Sequence, residues 1–220
     1  AKVADQSSRR VAPAGSFIGF SGDYDTQAWI GIPYAKPPLG NLRWRAPEPI
    51  LPLLEELQAI NYHSPCVQYA NPISGAVGDS GTVVGSEDCL ALNIWAPKFE
   101  PQNVPTGDKK LPVMVWIHGG GNTIGSANTY QGDKLAGDQN IIYVGLNYRL
   151  GVLGWFSHEA IRNTSPDPLD ASGNYAVLDM IAGLQWIQDN IEAFGGDPDN
   201  VTIFGESAGG RDVYALIGSP

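Results

Sequence analysis

The chain has 220 residues, of which 43% are hydrophobic and 10% aromatic, so it is long enough to bury the core of one or two domains. Its formal net charge is −10 and its 13 lysine and arginine residues are scattered, which excludes nucleic acid as an expected partner. No apolar run approaches the length that is needed to cross a membrane.

The predicted strands occur along the whole chain. Two early runs form a hairpin-like pair around a turn at Gly22-Asp23, and two later runs are apolar on both faces, as in central parallel strands. The predicted strands are 16–20, 27–34, 90–95, 112–117, 141–146 and 201–204. Strands that are separated by helices form right-handed crossovers, so the sequence predicts the α/β class.

Two segments have helical character. Residues 175–194 return apolar side chains at helical spacing and stop at Gly195-Gly196, and residues 208–217 follow the last strand. Residues 41–87 are irregular apart from a helical turn predicted near 53–57, and a long connection rich in Gly, Pro and Ser occupies 151–173.

The chain contains two cysteines, Cys66 and Cys89, and three isolated histidines. Neither residue type has the spacing of a metal site, so we expect no metal. The cysteines can be two buried thiols, or one disulfide that closes a loop rich in Gly, Ser and Pro. A disulfide would favour an exported protein, and both readings stay open at this point.

A glycine-rich turn, His118-Gly119-Gly120-Gly121, follows the apolar run 112–117. A plain flexible turn is one interpretation. A phosphate-binding loop does not fit, because no Gly-Lys-Ser/Thr follows and the glycine spacing misses the dinucleotide pattern by one residue. A turn of this kind upstream of a nucleophile is where esterases place oxyanion donors.

The pentapeptide Gly205-Glu206-Ser207-Ala208-Gly209 lies between the strand 201–204 and the helix 208–217. A serine at the apex of a strand–turn–helix is held in the open, and the helix N-terminus supplies an N–H and a positive dipole end to a developing oxyanion. The Gly-x-Ser-x-Gly pattern alone is weak, but its context and the glycine turn upstream indicate a nucleophilic serine.

Taken together, these residues resemble the N-terminal part of the type B carboxylesterase/cholinesterase family, which has the α/β-hydrolase fold. The matching stretches span nearly the whole chain in family order and are 31–35, 42–44, 86–90, 92–95, 118–121, 147–149, 184–187, 195–198 and 205–210. The resemblance implies that residues 1–220 are the N-terminal portion of a single α/β-hydrolase domain, with a mostly parallel central sheet and flanking helices.

The resemblance assigns the catalytic roles residue by residue. Ser207 would be the nucleophile, and the N–H groups of Gly120, Gly121 and Ala208 would form the oxyanion hole. Glu206 matches a buried acid that tunes the site and is not the triad acid. No cofactor is implied.

The resemblance also assigns structural residues. His118 would orient the glycine turn and is not the base. Cys66 and Cys89 match a disulfide near the mouth of the active-site gorge. Two further pairs match structural ion pairs, whose alternative is solvated surface charge. These pairs are Arg43 with Glu87 and Arg149 with Asp179.

One departure concerns the substrate. Choline-selective relatives carry a tryptophan inside the disulfide loop, where it binds the quaternary ammonium. Here residues 67–88 contain no tryptophan, Tyr69 is their sole aromatic residue, and Asn71 occupies the place of a rim aspartate. The sequence therefore resembles general carboxylesterases, such as bacterial para-nitrobenzyl esterase, more than cholinesterases, and small neutral acyl esters are the expected substrates.

A second departure concerns length. In the family the triad acid and histidine lie well beyond the serine, and no residue of this chain matches them. We therefore expect a second polypeptide, or a missing segment, to supply a Glu or Asp and a His. The N-terminus lacks the apolar region of a signal peptide, but the disulfide reading favours a secreted or periplasmic protein.

Two classes of function fit these residues. The first is a serine carboxylesterase that works through an acyl-enzyme. The second is a non-catalytic adhesion or binding domain on the same fold, since fold does not fix function. Relatives of the second kind lose the nucleophile, so the presence of Ser207 and all three donors favours the enzyme.

Overall fold

The structure, a computed structural model, describes residues 2–165 and 167–219, without the side chain of residue 73. The strands are β1 (Arg10–Ala12), β2 (Gly15–Ile18), β3 (Phe20–Ser21), β4 (Thr26–Pro33), β5 (Leu57–Gln58), β6 (Gln68–Tyr69), β7 (Val83–Val84), β8 (Ala91–Pro97), β9 (Leu111–Ile117), β10 (Ile142–Leu146) and β11 (Gly196–Gly205). The α-helices are α1 (Asp133–Gln139), α2 (Gly151–Gly154), α3 (Glu159–Thr164), α4 (Tyr175–Asn190) and α5 (Ala208–Ile217).

Six strands form the central sheet in the order β11-β9-β10-β8-β4-β3. β9 lies parallel to both β10 and β11, and the remaining neighbours pair antiparallel. The predicted α/β class is confirmed, and the parallel pairings fall on the strands that carry the glycine turn and the serine. The antiparallel strands β3, β4 and β8 lie on the other side of β10.

The three parallel strands end at the same level. Ile117 of β9 is in register with Leu146 of β10 and with Gly205 of β11. The connection from β9 to β10 runs in one direction along the sheet. The next connection, through α4 to β11, runs back past β9 in the opposite direction, so the direction of the connections reverses beside β9. In open α/β sheets this reversal creates a crevice at the carboxyl ends of the strands, and ligands bind there.

The sheet is covered on both faces by apolar side chains. The larger cluster lies between the sheet and α4, where Trp29 of β4 meets Phe194 with ring centroids 5.0 Å apart. The smaller cluster lies against α1 and includes Trp95 and Tyr143, whose ring centroids are 5.7 Å apart. Burial on both faces explains why β10 is apolar throughout.

The predicted strand 16–20 is divided between β2 and β3, which lie in different sheets, and two further local predictions also differ from the structure. The helical turn predicted near 53–57 is wrong, because Leu53 donates its N–H to the carbonyl of Ala14 and β5 pairs in parallel with β2. Here tertiary pairing overrides helix propensity. The helix predicted over 175–194 is α-helical only to Asn190 and finishes as a 3₁₀ turn. The sequence also gave no indication of α1.

A buried ion pair joins the segment after β10 to α4. The guanidinium of Arg149 binds Asp179 in a bidentate manner, with Nε–Oδ2 at 2.8 Å and Nη2–Oδ1 at 2.7 Å. The backbone N–H of Arg149 donates to the same carboxylate, and neither side chain is more than 4% exposed. Three hydrogen bonds to one carboxylate fix the path of the chain as it leaves β10.

We predict that Arg149→Leu lowers the free energy of unfolding by about 3–5 kcal/mol, because it leaves the Asp179 carboxylate buried without its charge partner. Urea unfolding followed by circular dichroism measures this change. In the double variant Arg149→Leu/Asp179→Leu no buried charge remains, so we expect most of the loss to be recovered.

The Arg43–Glu87 pair provides the matched control. It is also bidentate, but the Arg43 side chain is 42% exposed. Arg43→Leu should therefore change the stability far less than Arg149→Leu, since water replaces the partner of an exposed charge. Equal losses in the two single variants would contradict the role given to burial.

Candidate active site

Ser207 stands at the apex of a sharp turn between β11 and α5. Its backbone has φ 55° and ψ −119°, a conformation that non-glycine residues rarely adopt, and the residue is exposed. The flanking glycines permit the turn because no side chain fits there. A Cβ on Gly205 would lie 2.7 Å from the carbonyl oxygen of Ile117, and one on Gly209 would lie 2.1 Å from the same atom.

The glycine turn lies directly against the serine. A Cβ on Gly119 would lie 2.7 Å from the carbonyl oxygen of Glu206 and 3.1 Å from the Cβ of Ser207. The structure therefore brings together the two motifs that the sequence singled out, although about 90 residues separate them. The packing is backbone against backbone, which is why the facing positions are glycines.

Three backbone N–H groups near Ser207 remain open. Those of Gly120 and Gly121 donate to no acceptor among the described residues. Ala208 is the first residue of α5, and the N–H of a first helical residue has no partner inside its helix. Open donors beside an exposed serine are the arrangement that stabilises an oxyanion.

His118 is buried inside the glycine turn and makes no hydrogen bond to Ser207 among the described residues. Its Nδ1 lies 2.8 Å from the carbonyl oxygen of Gly119, and its ring stacks on Tyr148 with centroids 4.4 Å apart. Burial lowers the pKa of His118 to about 4, so the ring is neutral at pH 7 and Nδ1 donates to the carbonyl. A neutral, enclosed imidazole holds the turn and is poorly placed to act as a general base.

The other two histidines also have partners other than Ser207. His63 is 3.5 Å from Asp88, and His158 accepts a hydrogen bond from the N–H of Ala160 at the start of α3. Among the described residues, no histidine, aspartate or glutamate cluster has the geometry of a metal site. The same residues contain no helix long and apolar enough to cross a membrane.

Glu206 departs from the expectation of a buried acid, because it is exposed. It directly precedes Ser207, and its Oε2 would be 2.9 Å from a Cβ on Gly119. β11 is an edge strand of the described sheet, so no described strand covers this side of Glu206. Its position next to the glycine turn still fits an acid that acts on the site.

The predicted disulfide between Cys66 and Cys89 is confirmed, with Cα atoms 5.0 Å apart. The loop that it closes reaches the glycine turn through Gln68, a residue that the sequence analysis missed. The side-chain amide of Gln68 donates to the carbonyl of Gly125 at 2.8 Å and accepts from its N–H at 2.9 Å. The disulfide loop is therefore bound to the segment that follows the glycine turn.

A second polar group that the sequence did not predict links the glycine turn to α5. Asn122 donates from Nδ2 to Oδ1 of Asp212 at 3.0 Å. Tyr148 donates its hydroxyl proton to the carbonyl of His118, and the same hydroxyl lies 3.3 Å from Oδ1 of Asn122. Asn122 and Asp212 belong to no motif, and only the fold brings them together.

The geometry matches known proteins along nearly the whole chain. The structure superposes on a PNB esterase with a TM-score of 0.82 at 40% identity, covering 97% of this chain and 41% of that one. It superposes on a carboxylesterase of Geobacillus stearothermophilus with a TM-score of 0.79 at 36% identity, covering 97% of this chain and 40% of that one. The fold is therefore the N-terminal part of an α/β-hydrolase.

Sequence comparison gives the same result. The model of the carboxylesterase family matches residues 10–220, so the chain belongs to this family. It is 41% identical over 213 residues to fumonisin B1 esterase of Sphingopyxis macrogoltabida, covering 96% of this chain and 37% of that protein. It is 44% identical over 194 residues to para-nitrobenzyl esterase of Bacillus subtilis, covering 87% of this chain and 37% of that protein. The chain thus spans less than half the length of these relatives.

We predict that acidification destabilises the protein partly through His118. An unfolded histidine titrates near pH 6.5, whereas the folded ring stays neutral to about pH 4. The unfolded state therefore binds the extra proton, and stability is lost as the pH falls between these values, by about 3 kcal/mol in total. Urea unfolding at several pH values between 7 and 4 measures the slope.

The variant His118→Gln should lose this part of the pH dependence, whatever its stability at pH 7. His118→Asn should give the same result as His118→Gln, because neither amide side chain titrates. If wild type and His118→Gln lose equal stability between pH 7 and pH 4, His118 is not held neutral by burial.

Proposed function

We propose that this chain supplies the nucleophile and the oxyanion hole of a serine carboxylic ester hydrolase. The supporting observation is that the glycine turn packs against the exposed Ser207 through Gly119, while the N–H groups of Gly120 and Gly121 donate to no acceptor among the described residues and Ala208 begins α5. Membership of the carboxylesterase family supports the same chemistry. The non-catalytic binding domain is the weaker candidate, because it has no use for a strained serine.

In this mechanism the hydroxyl of Ser207 attacks the ester carbonyl carbon while a histidine takes the hydroxyl proton. The carbonyl oxygen becomes an oxyanion and accepts hydrogen bonds from the three N–H groups, aided by the positive end of α5. The bond to the alcohol breaks, and the histidine returns the proton to the leaving alcohol. Water then attacks the acyl-serine with the same histidine as base, which releases the acid and restores Ser207.

The histidine and its acid come from outside the described chain, either on a second polypeptide or on a further segment of the same protein. His63, His118 and His158 have partners other than Ser207 among the described residues, and relatives of this chain are more than twice as long. β11 is an edge of the described sheet, and edge strands invite pairing with another strand. The polypeptide that supplies the triad should therefore also continue the sheet.

Beside this edge lies an apolar groove of about 360 Å³, formed by α4, α5 and β11. Ile217 of α5 is 71% exposed and Tyr214 is 79% exposed. Large apolar side chains on one face of a helix at a sheet edge are the surface of an obligate interface rather than of a free monomer. We assign this face to the polypeptide that carries the triad acid and histidine.

For substrates, we propose small neutral acyl esters. The loop between the two cysteines offers Tyr69 as its only aromatic side chain, and no tryptophan is present to hold a quaternary ammonium. The disulfide supports a further proposal, that the protein works in an oxidising compartment outside the cytosol.

We predict that Ser207→Ala abolishes turnover of short p-nitrophenyl esters by the assembly that contains this chain and the triad histidine, because no other residue can form the acyl-enzyme. A fluorophosphonate probe, which reacts with activated serines, should label wild type at Ser207 and leave the variant unlabelled. Ser157→Ala, at another exposed serine, is the control and should keep both activity and labelling. A folded Ser207→Ala variant with more than a trace of activity would refute the assignment.

We predict that a neutral ester is a better substrate than its choline counterpart. The pair to compare is 3,3-dimethylbutyl acetate and acetylcholine, which have nearly the same shape and differ in charge. The measurement is kcat/KM for each, and the neutral ester should have the higher value because the loop lacks a cation-binding tryptophan. A higher value for acetylcholine would indicate a cholinesterase-like enzyme.

We predict that the chain associates with a second polypeptide or segment through the groove beside β11. Ile217→Lys places a charge on this face and should weaken the association at least tenfold, as measured by analytical ultracentrifugation of the two components. Val11→Lys, at an equally exposed apolar residue on β1, should leave it unchanged. A wild-type chain of these 220 residues that is monomeric, cooperatively folded and esterolytic alone would show the proposal to be wrong.

A further inference from the structure

The proposed oxyanion hole is assembled from two segments that are far apart in sequence. The N–H groups of Gly120 and Gly121 belong to the turn after β9, and that of Ala208 belongs to the start of α5. An oxyanion hole works only if its donors lie about 2.7–3.1 Å from the position that the oxyanion occupies. Some interaction must therefore fix the distance between the turn and the helix.

The hydrogen bond between Asn122 and Asp212 joins these two segments at the donors. Asn122 follows Gly121 directly, and Asp212 lies four residues after Ala208, one helical turn along the same side of α5. The bond is 3.0 Å long and connects residues that are 90 positions apart. It is therefore a crosslink between the two halves of the hole. It lies one residue from Gly121 and one helical turn from Ala208.

Asn122 is held on its other sides as well. Its side-chain oxygen lies 3.3 Å from the hydroxyl of Tyr148, which also donates to the carbonyl of His118. Its backbone is left-handed, with φ 59°, and its carbonyl accepts a hydrogen bond of 2.7 Å from the N–H of Gly151. With both ends of its amide and its carbonyl engaged, Asn122 has one orientation.

The position of Asp212 is energetically unfavourable for a carboxylate. It is 4% exposed, and its Oδ2 has no hydrogen-bond partner among the described residues. A buried carboxylate oxygen without a hydrogen-bond donor destabilises the fold, so an apolar residue at this position of α5 would give a more stable protein. Burial raises the pKa of Asp212, against the opposing effects of Asn122 and Arg211. A costly polar residue beside a reactive serine indicates a role in the site.

We propose that Asp212 and Asn122 are positioning residues, which set the separation between the donors of the glycine turn and the donor of α5. This inference rests on the proposed esterase function and deepens it. The oxyanion forms only as the reaction proceeds. A displaced donor therefore reduces the stabilisation of the transition state and leaves the binding of the ester almost unaffected. The signature of the pair is therefore a loss in kcat without a change in KM.

The test is a double-mutant cycle on the assembly that contains this chain and the triad histidine. Asp212→Ala and Asn122→Ala should each lower kcat for a p-nitrophenyl ester roughly tenfold or more, with KM within about twofold of wild type. Since both changes break the same crosslink, the double variant should lose about as much as either single variant. Asp212→Asn keeps an oxygen that accepts from Asn122 and should retain most of kcat.

Val213→Ala is the matched control. Val213 is the next residue of α5, is partly buried and packs against the larger apolar cluster, so its truncation weakens the helix without touching the crosslink. It should lower the unfolding midpoint while kcat stays within about twofold of wild type. Additive losses in the cycle, an unchanged kcat in Asp212→Ala, or an equal loss in Val213→Ala would each overturn the inference.

A second measurement keeps the inference separate from the proposed function. Hydrogen exchange of the amides of Gly151 and Ile124 reports on the glycine turn, because they donate to the carbonyls of Asn122 and Gly120. In Asp212→Ala these amides should exchange at least about tenfold faster than in wild type. If wild type proves inactive towards esters, the proposed function fails, and unchanged exchange would still refute the crosslink. Should Asp212→Ala not fold, Asn122→Ala gives the same readout.

Discussion

The site depends on how closely two stretches of backbone approach each other. The carbonyl of Ile117 lies where a side chain on Gly205 or Gly209 would have to be, and Gly119 faces Ser207 in the same way. No larger residue fits at these positions, so the turn that exposes the serine and the turn that offers N–H groups interlock. The parallel pairing of β9 with β10 and β11 brings the ends of these strands to the same level, and the contact follows.

The polar interactions around this contact differ in their burial and in the segment that each one holds in place. The Arg149–Asp179 pair is enclosed and fixes the chain as it leaves β10, whereas the Arg43–Glu87 pair lies at the surface near the disulfide. The neutral ring of His118 fills the space inside the glycine turn. Of these groups, His118 alone bonds within the glycine turn, through the carbonyl of Gly119.

The sequence predicted the parts of the fold that are encoded locally. Continuous apolar runs predicted β9 and β10, and the bounds of α5 match the predicted helix, because burial and helical spacing are visible in neighbouring residues. The Gly-x-Ser-x-Gly pattern located the turn, since its glycines answer a steric demand at fixed spacing. The resemblance to a family supplied the disulfide pairing, which spacing alone left open.

The rest depends on contacts between distant residues. Neither Asn122 nor Asp212 belongs to a pattern, and their bond exists only after two strands and a helix have been placed. The segment 53–57 has helix-forming residues, but its backbone pairs with the N-terminal strands instead. The exposure of Glu206 follows from the position of β11 at the edge of the described sheet, which no local signal reveals.

Gln68 attaches the disulfide loop to the segment that follows the glycine turn. Its side-chain amide binds both the N–H and the carbonyl of Gly125, as a neighbouring strand would, and the bond between Cys66 and Cys89 fixes the loop at its base. Beyond this attachment, residues 77–81 are all exposed and lie outside the packed core. Changes in sequence or length between residues 77 and 81 should therefore leave Gln68 and Gly125 in place, which makes this stretch the part of the loop that best tolerates mutation and insertion.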